Sequence, residues 1–210
     1  MAEVQPNPSA GISLRREEIP AALQALQRGE AMGFTTDEQV DLPQRILGLL
    51  EKVQAHQIAT QHVLSLRDAL GNPTTDRGTV LQDLKGLYAA LGENPVPQQE
   101  MRSLLRTFDA EQLASLLVIS PSSVQRYARG ERHIPEPVVD RVHWLALVVG
   151  HLTGTYNEYG VRRWFRRPRQ ALDGTTPEQA LLAEGGWSHY SEGARKVEGL
   201  AKSLIGMPAT

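Results

Sequence analysis

Cysteine is absent from the 210-residue chain. Its absence excludes disulfide scaffolds, thiolate metal sites and cysteine nucleophiles, and it suits a reducing compartment. No apolar run approaches the roughly 18 residues that cross a bilayer, so we expect no membrane contact. The first twenty residues also lack the basic segment and apolar stretch of a signal peptide. We therefore expect a cytoplasmic protein.

Sequence patterns of catalysis and of metal or cofactor binding are missing as well. The six histidines show no HxxxH or HExxH spacing, and neither a P-loop nor a GxGxxG motif occurs. The serines of "SPSS" (120–123) have no neighbouring base, and helix capping explains them. We expect a protein that is not an enzyme and that holds no metal and no cofactor.

Alternating strand patterns are close to absent, whereas helical periodicity recurs along the whole chain. The sequence therefore predicts an all-α fold. The expected helices cover about 15–31, 43–70, 77–91, 98–107, 110–117, 121–129, 137–153, 157–167, 177–183 and 190–205.

Charge is unevenly distributed, although the net charge is only −2. Residues 121–170 carry nine arginines and four acidic side chains, whereas residues 1–120 carry 10 basic and 15 acidic ones. Phosphate binding depends on local charge, so the central window is the best candidate for a nucleic-acid footprint.

The sharpest motif is "FDAEQLASLLVISPSSVQRYARGERHIP", residues 108–135. Asp109 is expected to cap a helix together with Gln112, as in a capping box. Ser120 and Pro121 are typical of the start of a second helix, and Gly130 of its end. The pattern predicts two short helices joined by a tight turn.

The second of these helices is polar and basic on its outer face. Glutamine can bond an adenine edge and arginine a guanine edge, while serines and further arginines suit phosphates. The predicted DNA-binding residues are Ser122, Ser123, Gln125, Arg126, Arg129 and Arg132. The alternative is an ordinary α-hairpin with a solvated basic face.

This motif resembles the helix–turn–helix of the Xre-type, Cro/repressor-like family. The matching residues are Leu113, Ala114, Ser120, Ser123, Val124, Arg126, Gly130 and Pro135. Val118 stands where the family has its turn glycine, and a β-branched residue resists positive φ. We therefore expect either a different turn geometry or a degenerate descendant of the motif, for which DNA binding stays open.

The stretch "VRRWFRRPR" (161–169) interleaves aromatic residues with arginines, as nucleic-acid sites do. Helical phasing instead places Val161, Trp164 and Phe165 on one apolar face, with arginine pairs on its flanks. Two roles remain open for the arginines, namely contact with phosphates or with an acidic patch on a partner protein.

"RRWFRRPRQALDGTTPEQALL" is similar to the toxin-binding domain of the Xre/MbcA/ParS antitoxins. The matching residues are Trp164, Phe165, Pro168, Leu172, Gly174, Thr176, Pro177 and Leu181. In that family this domain follows an Xre-like helix–turn–helix, as it does here. The resemblance covers about residues 105–206.

The resemblance implies a type II antitoxin that forms a homodimer or higher oligomer and represses its own operator DNA. It also implies a toxin partner with a RES domain that consumes NAD⁺, and a C-terminal end that reaches into that toxin's pocket. The chain departs from the family by continuing through "PAT" at its end. The implied toxin-binding residues are Arg162, Arg166, Arg169, Lys202, Ile205, Gly206 and Met207.

Four ranges follow from these patterns: a loose N-terminus at 1–11, helices of unknown role at 12–96, the helix–turn–helix at 97–135 and a C-terminal domain at 136–210. The break at "GENPVP" (92–97) separates the second range from the third. Two other functions stay open: a transcriptional regulator without a toxin, and a protein-interaction scaffold.

Overall fold

A computed structural model describes residues 13–34, 38–71, 78–183 and 186–204 of the chain. Within these ranges every regular element is a helix and no strand occurs, which confirms the predicted all-α class. None of the helices described is long and apolar enough to span a membrane. The helices are α1 (Ile19–Ala31), α2 (Leu42–Ala55), α3 (Thr60–Gly71), α4 (Val80–Glu93), α5 (Pro97–Thr107), α6 (Ala110–Leu117), α7 (Pro121–Arg129), α8 (Glu136–Leu152), α9 (Glu158–Arg166), α10 (Pro177–Leu182) and α11 (Glu192–Lys202), with a 3₁₀ turn at Gln170–Leu172.

The chain divides into two compact units. The first unit contains the described residues up to Leu26 and those from 38 to Glu93. The second contains residues 27–34 and everything described from Asn94 onward. A single hydrophobic core in the second unit runs through both 97–135 and 136–204.

In the first unit, α3 packs against both α2 and α4. The prediction of one helix from Pro43 to Leu70 is wrong, because the chain leaves the helical conformation after Ala55. Gln57 and Ala59 adopt left-handed φ angles of 58° and 53°, and α3 begins at Thr60. These two residues turn the chain so that α2 and α3 pack side by side.

A polar network joins α3 to α4 inside this unit. The ring Nδ1 of His62 lies 2.9 Å from Asp83 Oδ1, and the hydroxyl of Ser65 donates to Asp83 Oδ2 at 2.7 Å. Burial raises the pKa of Asp83, but hydrogen bonds from His62, Ser65 and Thr79 outweigh it and hold that pKa below its ordinary value. The ionised carboxylate thus ties the two helices together.

In the second unit, α5 lies at the centre and packs against α7, α8 and α9. Aromatic rings fill the space between α5 and α9: Phe108 and Phe165 meet edge to face at 5.4 Å, and Trp164 meets Phe165 at 5.1 Å. Offset and edge contacts of this kind are the preferred geometry of aromatic pairs. Helix α6 is mostly buried, with Glu111 as its one exposed residue, whereas α7 packs on α5 and α6 and keeps one side exposed.

Candidate nucleic-acid interface

Helix α6 begins at the cap that the sequence predicts. Asp109 has extended backbone angles, and its Oδ1 accepts a hydrogen bond from Gln112 N at 2.7 Å. The predicted capping box also requires a hydrogen bond from the Gln112 side chain back to the cap, and this part of the prediction is wrong. Gln112 is buried, and neither polar atom of its side chain has a hydrogen-bond partner among the described residues. Because it points into the core, the Gln112 amide does not return to the cap.

The turn between α6 and α7 is centred on Val118, which adopts the left-handed conformation with φ 56° and ψ 49°. The N–H of Val118 donates to Ser115 O at 3.1 Å, and the N–H of Ile119 donates to Ala114 O at 3.0 Å. These two bonds form the helix ending that usually carries glycine. Of the two expectations for Val118, the structure excludes a different turn geometry: the glycine-type turn forms with valine in it.

The two remaining carbonyls at the end of α6 are satisfied from elsewhere in the unit. The indole Nε1 of Trp187 donates to Leu116 O at 2.7 Å, and a guanidinium N–H of Arg141 donates to Leu117 O at 2.8 Å. Arg141 Nε also donates to the carbonyl of Trp187 at 2.8 Å. Every carbonyl from Ala114 to Leu117 therefore has a partner, and this network holds the strained turn in place.

Helix α7 is fixed at both ends by its own sequence. Ser120 Oγ accepts from Ser123 N at 3.2 Å, and Pro121 occupies the first helical position. Gly130 ends the helix with φ 73°, and a Cβ at this position would lie 2.4 Å from Gln98 Nε2. The backbone angle therefore favours glycine at residue 130, whereas the exposed Gln98 side chain could move away from a Cβ.

The inner side of α7 is buried and its outer side is polar. Val124, Tyr127 and Ala128 lie in the core, as the i, i+3, i+4 spacing predicts. The predicted DNA-binding residues lie on the other side: Ser122, Arg126, Arg129 and Arg132 are exposed, and Ser123 and Gln125 are half-buried.

Four of these outward residues have local contacts. Ser122 Oγ and Ser123 Oγ lie 3.0 Å and 2.9 Å from Ser120 Oγ. Arg129 pairs with Glu131 at 3.6 Å, and the Arg132 guanidinium lies 5.9 Å from the Tyr127 ring centre. Both members of the Arg129–Glu131 pair are more than half exposed, so the pair contributes little to stability. The arginine heads remain accessible to an external anion.

Helix α9 carries the predicted aromatic face. Val161, Trp164 and Phe165 are fully or almost fully buried, so they belong to the core and not to a stacking platform for bases. Arg162 is half-buried and donates to Thr107 O at 2.9 Å, at the end of α5. It therefore joins two helices, in addition to any role toward a partner.

The other predicted partner-binding residues are spread along the second unit. Arg166 lies 3.7 Å from the carboxylate of Asp109, and the guanidinium of Arg169 lies 5.1 Å from the Trp164 ring centre. Lys202 is exposed and pairs with Glu198 at 2.6 Å, one helical turn earlier. Ile205, Gly206 and Met207 lie outside the described residues.

The motif after Pro168 forms a compact corner. Pro168 itself is exposed, and the chain turns through Gly174 with φ 79°. Thr176 and Gln179 then form a complete capping box at the start of α10, with both hydrogen bonds at 3.0 Å. Leu172, Pro177 and Leu181 are buried, which places most of the motif in the core instead of on a contact surface.

Sequence reasoning missed Arg141 and Trp187, which complete the turn of the candidate interface. Arg141 lies within an apolar helix, and Trp187 follows "EGG", a segment with no clear periodicity. No local pattern marks a side chain that caps a helix from more than 20 residues away. Only the tertiary structure could identify them.

Acidic and imidazole side chains do not gather into a metal site in the described ranges, where no group of three or more potential ligands occurs. His143 Nδ1 lies 2.6 Å from the buried Glu100 Oε1, between α8 and α5. This contact joins two helices of the core.

Comparison of the chain with family models, curated proteins and solved structures found no match.

Proposed function

We propose that the protein is a DNA-binding repressor of the antitoxin type, which reads its operator with α7. The observation that carries this proposal is the outer face of α7, whose polar and basic side chains are accessible while both helix ends and the inner face are fixed. A short helix held in this way beside a preceding helix is the arrangement that helix–turn–helix proteins place in the major groove.

Each outward side chain has a suitable chemical role in this proposal. Gln125 would bond an adenine edge and Arg126 a guanine edge, the two pairings that read the major groove. Ser122 and Ser123, at the start of the helix, would contact phosphate. Arg129 and Arg132, at and after the end of α7, would add positive charge for the DNA backbone and would not read base sequence. In this account the protein acts by binding and catalyses no reaction.

Helix–turn–helix proteins commonly bind two half-sites as dimers. We therefore propose a homodimer or higher oligomer on DNA. Sedimentation with and without a DNA duplex tests this part, because a single bound monomer per duplex would contradict it.

The second part of the proposal is that the C-terminal segment binds a toxin with a RES domain. It is supported by the compact turn from Arg169 to Pro177. Residues of the antitoxin-like motif form this turn through a capping box and buried side chains. Because Trp164, Phe165 and Pro177 are in the core, contact with the toxin would be made by Arg169 and Lys202 and by residues 205–207.

A binding experiment tests the DNA-reading part. DNA from upstream of the protein's own reading frame is mixed with the wild-type chain and with Arg126→Ala, in the presence of excess unrelated DNA. We expect a specific complex with wild type that Arg126→Ala weakens. If no upstream fragment is bound specifically, the DNA-reading proposal is wrong and the protein is better described as an interaction scaffold.

A separate experiment tests the toxin. If a RES-domain reading frame lies beside the gene, its product should co-purify with the wild-type chain and lose NAD⁺-consuming activity in the complex. A DNA-binding chain that has no such neighbour and retains no RES-domain protein would be a regulator without a toxin.

A further inference from the structure

Helix α9 presents a basic surface that the fold itself does not use. Arg163 and Arg166 in its last turn, and Arg167 directly after it, are exposed, whereas Trp164 is buried. We call these three arginines the α9 arginine face. In the ranges that the structure describes, Arg163 and Arg167 make no ion pair and no hydrogen bond.

The α9 arginine face does not stabilise the helix to an extent that explains it. Cations near a helix C-terminus interact favourably with the helix dipole, but these side chains are exposed and solvent screens that interaction. Arg167 follows the helix with extended backbone angles, so it does not pair with Arg163 across a helical turn. The guanidinium groups of Arg163 and Arg167 therefore remain available for an anion from outside the chain.

The position of α9 brings this face to one edge of the candidate interface. Arg166 lies 3.7 Å from Asp109, the residue that caps α6. Arg162, on the same flank of α9, is bonded to Thr107 O at 2.9 Å and so holds α9 at the corner between α5 and α6. The arginine face is thus continuous with the start of the first helix of the α6–α7 pair.

We propose that the α9 arginine face binds phosphates of the DNA backbone beside the half-site that α7 reads. This inference rests on the proposed DNA-binding function. In helix–turn–helix complexes the first helix crosses the backbone, so groups beside its N-terminus lie next to phosphates. The face adds affinity that depends on salt and not on base sequence.

Asp109 does not prevent this role. Both side chains of the Arg166–Asp109 pair are more than half exposed, and such pairs contribute little to stability. A phosphate can therefore replace the carboxylate as the partner of Arg166. Asp109 keeps its bond to Gln112 N, so α6 stays capped when this exchange occurs.

The test compares two double variants that each remove two exposed positive charges. Arg163→Gln/Arg166→Gln alters the α9 arginine face, and Arg195→Gln/Lys196→Gln alters α11, which packs on α8 and α10. Arg162 is left in place because its replacement would break the bond to Thr107 O.

Thermal unfolding of each variant first shows that the fold is kept. Affinity for a specific duplex is then measured by fluorescence anisotropy from 50 to 200 mM salt.

Each lost phosphate contact reduces the slope of log affinity against log salt by about 0.9, so the α9 double variant should lose up to about two units of slope. The factor by which its DNA affinity falls below that of wild type should then be about tenfold larger at 50 mM than at 200 mM salt. The ratio of its affinities for specific and unrelated DNA should not change. The α11 variant should match wild type.

Two results would overturn the inference. If wild type binds specifically and the α9 variant has the same affinity and slope as the α11 variant, the face does not contact DNA, and the proposed function stands. The same result together with loss of a protein partner would assign the face to an acidic protein surface. If wild type binds no DNA specifically, the DNA-binding function and this inference fail together.

Discussion

The indole N–H of Trp187 donates a hydrogen bond to the carbonyl of Leu116 at 2.7 Å, 71 residues earlier in the chain. Both groups are buried, so water cannot replace the bond if either is removed. The bond supports the last turn of α6 at the point where Val118 takes up a conformation that valine disfavours. Residues remote in sequence therefore hold the turn that positions α7.

Replacing Trp187 by phenylalanine tests this support. Trp187→Phe keeps a ring in the core and removes the donor, which leaves Leu116 O buried without a partner. We expect the free energy of unfolding to fall by about 1–3 kcal/mol from the lost bond, in addition to lost packing.

The matched control is Trp144→Phe. Trp144 is also buried, its ring packs against Trp187 at 4.7 Å, and its Nε1 has no hydrogen-bond partner in the described part of the chain. This control loses similar packing but no hydrogen bond. Equal urea-unfolding energies for the two variants would contradict a structural role for the Trp187 bond.

Val118→Gly should stabilise the protein. A left-handed conformation costs an L-residue about 1–2 kcal/mol, and glycine avoids this cost but loses up to about 1 kcal/mol of backbone entropy on folding. Val118 is 41% exposed, so little buried area is lost. We expect a net gain of up to about 1 kcal/mol in urea unfolding.

Val118→Ala is the control for this change, because alanine removes the exposed methyl groups but keeps the Cβ in the left-handed region. It should gain less than glycine. A Val118→Gly protein that is no more stable than Val118→Ala would show that the turn carries no strain.

His151 makes stability depend on pH. It is buried in α8, and burial, followed by the charges of Arg28 and Lys202, lowers its pKa from 6.5 to about 4. The folded state therefore binds fewer protons than the unfolded state, so the contribution of His151 is complete above pH 6.5 and is lost as pH falls toward 4. At pH 5 the loss should be on the order of 2 kcal/mol relative to pH 7.

Urea unfolding at pH 7 and pH 5 measures this contribution. His151→Leu should lose less stability between these two pH values than wild type does, by the same 2 kcal/mol or so. His133→Gln, at an exposed position, should follow wild type. If His151→Leu and wild type lose the same amount, the imidazole is not held neutral in the folded protein.

Local sequence predicts some parts of this structure well. The bounds of α6 and α7 follow from Asp109, Ser120 and Gly130, because caps act over three or four residues. The buried side of α9 follows from its period alone. These features depend on neighbours in the chain, so a short window contains the information.

The break between α2 and α3 could not be found in the same way. Neither glycine nor proline marks the two left-handed positions, Gln57 and Ala59. The only signal is spacing: Val53, Ile58 and Val63 are five residues apart, which does not keep one face of a straight helix. Tertiary packing decides the conformation there.

Some features of the candidate interface could likewise be predicted from local sequence, and others could not. Its outward residues on α7 could be predicted from helical phase. The bonds that Arg141 and Trp187 make to α6 could not, because they join segments that are distant in sequence. The attachment of α9 through Arg162 to Thr107 is long-range in the same way.

The central claim is that α7 reads base sequence, and selection of duplexes from a random DNA library tests it most directly. Wild type, Arg126→Ala and the surface control Arg195→Ala are each used to select duplexes, which are then sequenced. Wild type and Arg195→Ala should enrich one common motif that contains a guanine. Arg126→Ala should lose preference at that guanine alone, with affinity reduced by about 1–3 kcal/mol. Selection of no motif by wild type, or of the full motif by Arg126→Ala, would contradict the account.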